Sequence, residues 1–194
     1  SSSFNAASGI KYTTDSWLTK ARFSALTSRE DKKVSKEKYT GRLVFNKNLT
    51  QHWYLGWVGQ QERDRFSGYY HQSTTAINLG FKALNSQNHK LNFESGPGYL
   101  IEKLRENELT ETEFLRRFAA NYSWQLNKGV SLEQEYIIES SSEKTLQHYE
   151  AGFRAQINSR LAAKISYKMK KDSKVPEDKA KKDTQTSLNL VYKI

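Results

Sequence analysis

The chain has 194 residues and a mass of 22.5 kDa, with 31 Lys and Arg against 21 Asp and Glu, a formal net charge of +10. Cys is absent, which excludes disulfide scaffolds, thiolate metal sites and Cys nucleophiles. Only 36% of residues are hydrophobic yet 12% are aromatic, which argues against both a disordered polar chain and an ordinary helical domain.

Period-two alternation runs along nearly the whole chain. Phe4, Ala6, Ile10 and Tyr12 oppose Asn5, Ala7 and Lys11. Trp17, Ala21, Phe23 and Ala25 oppose Lys20, Arg22 and Ser24. Leu43 and Phe45 oppose Arg42 and Asn46, and Trp53, Leu55 and Trp57 oppose His52, Tyr54 and Gly56. Ile77, Leu79 and Phe81 oppose Asn78, Gly80 and Lys82. Leu91, Phe93, Tyr99 and Ile101 oppose Asn92, Glu94, Gly96, Gly98 and Glu102. Phe118, Ala120, Tyr122 and Trp124 oppose Arg117, Ala119, Asn121 and Gln125. Val130, Leu132, Tyr136 and Ile138 oppose Ser131, Glu133, Glu135 and Glu139. Tyr149, Ala151, Phe153 and Ala155 oppose His148, Glu150 and Arg154. Leu161, Ala163, Ile165, Tyr167 and Met169 oppose Lys164 and Lys168, and Leu188, Leu190, Tyr192 and Ile194 close the chain. This predicts about eleven strands. Segments 17–26 and 114–126 fit period two better than a helical period.

The connections alternate between two kinds. Segments 13–16, 46–50, 85–88, 127–129 and 158–160 are short and rich in Asn, Gly and Asp, as tight hairpins require. Segments 28–38, 62–68, 105–111, 141–145 and 170–183 are more charged, and they predict longer loops. Short turns at one end and long loops at the other predict an all-β, antiparallel, up-and-down transmembrane barrel. No apolar run reaches the roughly 18 residues of a transmembrane helix, a test that does not bear on barrels. The opening SSSFNAAS has neither a basic nor an apolar leader region, so a signal peptide is expected to be already gone.

Aromatic placement separates a membrane barrel from a soluble one. Tyr12, Trp17, Trp53, Tyr122, Trp124 and Tyr192 fall near the short-turn rim, and Tyr39, Tyr70, Tyr99, Tyr136 and Tyr167 nearer the long loops. Two such belts around aliphatic residues are the interfacial girdles of an outer-membrane barrel. Outer-membrane lipid and lipopolysaccharide are then the expected surroundings. The final alternating strand, ending at Ile194, resembles the signal read by the barrel assembly machinery.

The stretches 49–84, 91–102 and 183–194 resemble the domain of unknown function 481 family, described as salt-induced outer-membrane proteins of Gram-negative bacteria. The matching features are a strand running into ERDRFSG, a Gly-Pro-Gly-Tyr strand and a closing Asp-Thr strand. The resemblance covers nearly the whole chain and implies fold and location in the cell outer membrane rather than an activity. It also implies one earlier strand. Eleven strands plus one make twelve, an even number as bacterial single-chain barrels have.

The inward phase holds Arg22, Arg42, Glu94, Glu133, Glu135, Glu150, Arg154 and Lys164. These residues line either a narrow solute or ion pathway or a salt-bridged plug, since enclosed charges need partners. Catalysis finds little support: no GxSxG or HExxH run occurs, and among the four histidines only His71, followed by Ser73, shares the lipid-facing phase. A barrel-borne lipid hydrolase would need a Ser and a His in contact on the outer wall. His148 beside Glu150 is too few ligands for a metal site, and no cofactor motif is present. Gly96-Pro97-Gly98 predicts a bulge or bend in its strand. The Lys-rich segments 28–38 and 170–183 lack interleaved aromatics, so lipopolysaccharide phosphates or water suit them better than nucleic acid. The expectation is a single-domain, monomeric barrel. A soluble basic β-protein remains as an alternative, and it requires the apolar faces to pack inside.

Overall fold

A computed structural model describes residues 2–30, 33–67, 69–105, 108–174 and 181–192, and for residues 2, 3, 29, 30, 33, 35 and 36 it describes the backbone alone. The chain forms eleven strands: β1 (Ser2–Thr13), β2 (Trp17–Glu30), β3 (Lys33–Asn48), β4 (Trp53–Asp64), β5 (Tyr69–Asn85), β6 (His89–Leu104), β7 (Thr110–Asn127), β8 (Val130–Ser140), β9 (Thr145–Gln156), β10 (Leu161–Asp172) and β11 (Lys182–Tyr192). Each pairs antiparallel with the next in sequence, so the sheet is one uninterrupted meander. β1 and β11 have one neighbour each, and the barrel is nearly closed. Ile194 and the basic side chains at 29, 32, 33, 36 and 179 lie outside the described residues.

The curl of the sheet is visible in its ion pairs. Arg22 on β2 meets Glu150 on β9, Arg42 on β3 meets Glu135 on β8, and Glu62 on β4 meets Lys170 on β10. None of these strands are neighbours in the sheet, so the contacts are made across the lumen.

The short-turn end follows the hairpin chemistry of its sequence. Thr14 Oγ1 accepts from the Trp17 amide at 3.0 Å, and Asn158 Oδ1 accepts from the Arg160 and Leu161 amides, both at 2.9 Å. The opposite end corrects the sequence reading. The expected loop 28–38 is mostly ladder, with β2 running to Glu30 and β3 starting at Lys33. β4 continues to Asp64, β7 begins at Thr110 and β10 continues to Asp172. Charge does not prevent pairing there, because the ladder is made by backbone groups and inward-pointing charges find partners across the lumen. Of the 170–183 segment, 170–172 belong to β10 and 182–183 to β11.

At Gly96-Pro97-Gly98, where a bulge or bend is expected, the β5–β6 ladder is interrupted without a register shift, so no residue bulges out. β5 and β6 pair at Ala76–Gly98 and resume at Leu79–Ser95 in the same register; their irregularities lie at 69–71 and 82–84 instead. Gly96 has a different role: a Cβ there would lie 1.9 Å from the Ile77 carbonyl oxygen. Pro97 offers no amide to the ladder at this point, and the two backbones close up. Replacing Gly96 with Ala is expected to destabilise the barrel by about 1–3 kcal/mol, since backbone rather than a side chain must yield. A urea-unfolding midpoint in micelles measures this, and an unchanged midpoint would contradict the close packing.

Candidate functional site: the lumen and its outer wall

Alternation places polar side chains inside. Asn78, Arg117, Glu62, Glu102 and Ser166 are buried, and they share the interior with Val58, Ala76, Leu100, Leu115 and Leu146. Leu100, Leu115 and Leu146 cluster against one another and fill the β6, β7 and β9 side. At the long-loop end the open space is bordered by β1–β4 and β8–β11.

A waist divides that space. Arg42 grips Glu135 with two parallel hydrogen bonds, Nη1 to Oε2 at 2.8 Å and Nη2 to Oε1 at 3.0 Å. Arg22 reaches Glu150 in the same manner at 3.4 and 3.0 Å. Such fork-to-carboxylate pairs are directional and strong. Arg22, Arg42 and Glu135 line both a cavity of about 180 Å3 toward the long-loop end and one of about 220 Å3 toward the short turns. The second cavity opens into a vestibule of about 530 Å3 at the short-turn mouth.

Beyond the waist, the long-loop half is knitted by a dense network. Glu62 accepts from Lys170 at 2.8 Å, Lys38 at 2.9 Å and the Tyr69 hydroxyl at 2.7 Å. Lys170 also donates to Gln72 at 3.0 Å; Gln72 in turn donates to Glu102, which Lys144 also contacts. On the other side, Arg117 joins Glu94 at 3.0 Å and Glu139 at 3.6 Å, and the Tyr54 hydroxyl donates to Glu94 at 2.9 Å. Glu62, Lys170 and Lys144 escaped the sequence reading because they fell in segments read as loops. At the tip, Lys174 donates to Glu143 at 2.7 Å. That hydrogen bond, and then the charge behind it, holds the Glu143 carboxyl below its usual range. Both side chains are exposed, so this pair adds little to stability.

Of the inward residues picked from sequence, Arg22, Arg42, Glu94, Glu135 and Glu150 meet partners in the lumen. Lys164 lies 3.7 Å from Glu150 and 4.0 Å from Glu133, whose side chain is 64% exposed at the mouth. Arg154 stands apart from this network. It sits in a rim groove with Gln125, Ser131 and Arg160. The vestibule is lined by Lys11, Lys20, Arg22, Lys82, Lys90 and Lys164 but only three carboxylates, Glu133, Glu135 and Glu150. Among the described residues, Lys11, Lys20, Lys82 and Lys90 have no ion-pair partner.

The outer wall is apolar. Ile10, Ile77, Leu79, Ile165, Leu188 and Leu190 are each about half exposed or more. Tyr12, Trp17, Trp53, Trp124 and Tyr192 ring the short-turn rim, exposed, and Tyr122 beside them bonds His89 Nδ1 at 2.9 Å. Tyr39, Tyr99 and Tyr167 are exposed on the same wall toward the long loops. A soluble barrel would bury these faces; here they point away from the lumen.

Comparison with known proteins agrees with this geometry. The family described as "Protein of unknown function, DUF481" matches residues 1–194. The uncharacterized protein YdiY of Escherichia coli (strain K12) is 28% identical over 180 residues, which cover 92% of this chain and 70% of YdiY. A solved structure of the NanC porin, in a rhombohedral crystal form, superposes with a TM-score of 0.65 at 7% identity over 99% of this chain and 94% of its own. That likeness is one of fold.

Proposed function

The chain belongs to the DUF481 family, and from that premise and the lumen geometry we propose that it is an outer-membrane barrel whose narrow polar pathway is constricted by the Arg42–Glu135 and Arg22–Glu150 pairs. One observation carries this reading: the same three residues, Arg22, Arg42 and Glu135, wall cavities on both sides of the waist. A lumen designed only as filler would need no space on either side. The excess of lysines at the short-turn mouth favours small anions at that entrance. β1 and β11 each have one neighbour, and a twelfth strand between them would give the even count of bacterial barrels. An envelope role under salt stress belongs with this reading as the physiological setting.

Conductance of the full-length barrel in planar bilayers tests it. The wild type is expected to give small, steady steps. The Arg42→Ala/Glu135→Ala double variant removes the pair without stranding either charge, and its steps are expected to grow at least about twofold. Arg42→Ala alone leaves Glu135 at the waist and is expected to shift selectivity toward cations. Silence from wild type and double variant alike, with the barrel folded by heat-modifiable gel migration, would replace the pathway with a purely structural role.

A further inference from the structure

Charge on the outer wall is not scattered. On β4, β5 and β6, Trp53, Phe81 and Phe93 form a cross-strand row near the short-turn end. Ten residues along each strand from that row stand Arg63, His71 and Lys103. They are neighbours in turn: His71 pairs directly with Lys103, and Arg63 follows the Glu62–Gln72 pair. Between the two rows, the outward phase of all three strands carries no charged side chain. A strand tilted by about 40° rises roughly 2.5 Å per residue along the membrane normal, so ten residues span about 25 Å. That is the height of the apolar band of an outer-membrane barrel. The three basic side chains therefore sit where hydrocarbon ends and phosphate begins.

Two further features organise the patch. The Tyr70 ring lies under Arg105, 4.3 Å from ring centroid to guanidinium carbon, and Lys103 Nζ lies 5.8 Å from the same ring. Arg105 donates to the Asp64 and Ser67 carbonyls, tying residues 64–67 against this corner. Arg116 faces outward on β7 opposite Pro97, six residues nearer the short turns than Lys103, and is not part of the row. In contrast to the lumen, none of Arg63, His71, Lys103, Arg105 and Arg116 has a carboxylate partner among the described residues.

We propose that Arg63, His71 and Lys103 form a docking site for the phosphates of lipopolysaccharide in the outer leaflet. The proposal rests on the membrane-barrel reading above, with the long-loop end outward. Three basic groups across two interstrand spacings are about 10 Å wide. A one-phosphate lipid engages one or two of them, whereas a headgroup with two phosphates on a rigid disaccharide engages the whole row. Phosphate oxygens suit Arg and Lys donors, and the anionic leaflet surface adds attraction for each cation.

The test uses the refolded full-length barrel and its Arg63→Gln/His71→Gln/Lys103→Gln variant. Insertion into phosphatidylcholine bilayers is checked by heat-modifiable migration. Binding is then measured with rough lipopolysaccharide, dephosphorylated lipopolysaccharide, phosphatidylglycerol and inorganic phosphate. Wild type is expected to prefer the phosphorylated glycolipid over the dephosphorylated form by roughly tenfold, and the variant to lose that preference. Phosphatidylglycerol and inorganic phosphate are expected to bind more weakly by a similar factor. A preference retained in the variant, or equal binding of phosphatidylglycerol, overturns the site while leaving the membrane barrel intact. Failure of wild type to insert overturns the membrane reading and the site with it.

Discussion

Replacing Arg117 with Leu is expected to lower the unfolding free energy by about 3–5 kcal/mol, because two carboxylates lose their shared cation inside the wall. The Arg117 side chain is 1% exposed, 3.0 Å from Glu94 and 3.6 Å from Glu139. Its neighbours on the inward phase of β7, Leu115 and Ala119, are buried, so water has little access to the vacated space. Glu94 would keep the Tyr54 hydroxyl as donor, which offsets only part of the loss. Arg117→Lys retains the charge without the fork and is expected to fall between the two. The triple variant Arg117→Leu/Glu94→Gln/Glu139→Gln is expected to recover most of the loss, since it strands no charge. Urea unfolding in micelles, followed by Trp fluorescence, measures all four proteins. An Arg117→Leu loss under about 1 kcal/mol would mean that the carboxylates reach water, and that this side of the lumen is wide and wet.

The second large effect lies outside. Ile77→Arg is expected to cost about 2–4 kcal/mol when the barrel folds into a bilayer. Ile77 is 55% exposed, pairs with Trp57 across the ladder and has Leu79 as its outward neighbour on β5. It lies four residues from the Trp53–Phe81 row, near the middle of the apolar band. On a water-facing surface, the same substitution would change stability by no more than about 0.5 kcal/mol. Ser73→Arg, four residues nearer the long-loop end, is expected to cost less, because the penalty falls toward the interface. Reversible urea-driven folding into phosphatidylcholine bilayers gives both values. Equal and negligible costs at the two positions would overturn the assignment of this wall to lipid.

The two effects draw on different kinds of information. Which residues face which way was legible in the sequence. The side-chain period of a strand is two and each turn is local, so the apolar phase of Leu188, Leu190 and Tyr192 can be read without any partner strand. The girdle at Tyr12, Trp17, Trp53 and Trp124 follows from the same local reading. Charge at the other end is an unreliable sign of a loop: 141–144 does connect β8 to β9, whereas 62–64 and 170–172 belong to β4 and β10. Glu62 and Lys170 are charged strand residues, and they meet each other across the lumen.

By itself, then, the order of residues determined the strands, their phase, the hairpin order and the family likeness, since each of these depends on neighbours within a hairpin. The tertiary structure decided which charges meet. Arg42 finds Glu135 93 residues away and Arg22 finds Glu150 128 residues away, whereas Arg154, equally inward by phase, is left on the rim. Those outcomes are set by strand number, tilt and stagger around the whole barrel, quantities that exist only once the sheet has curled on itself.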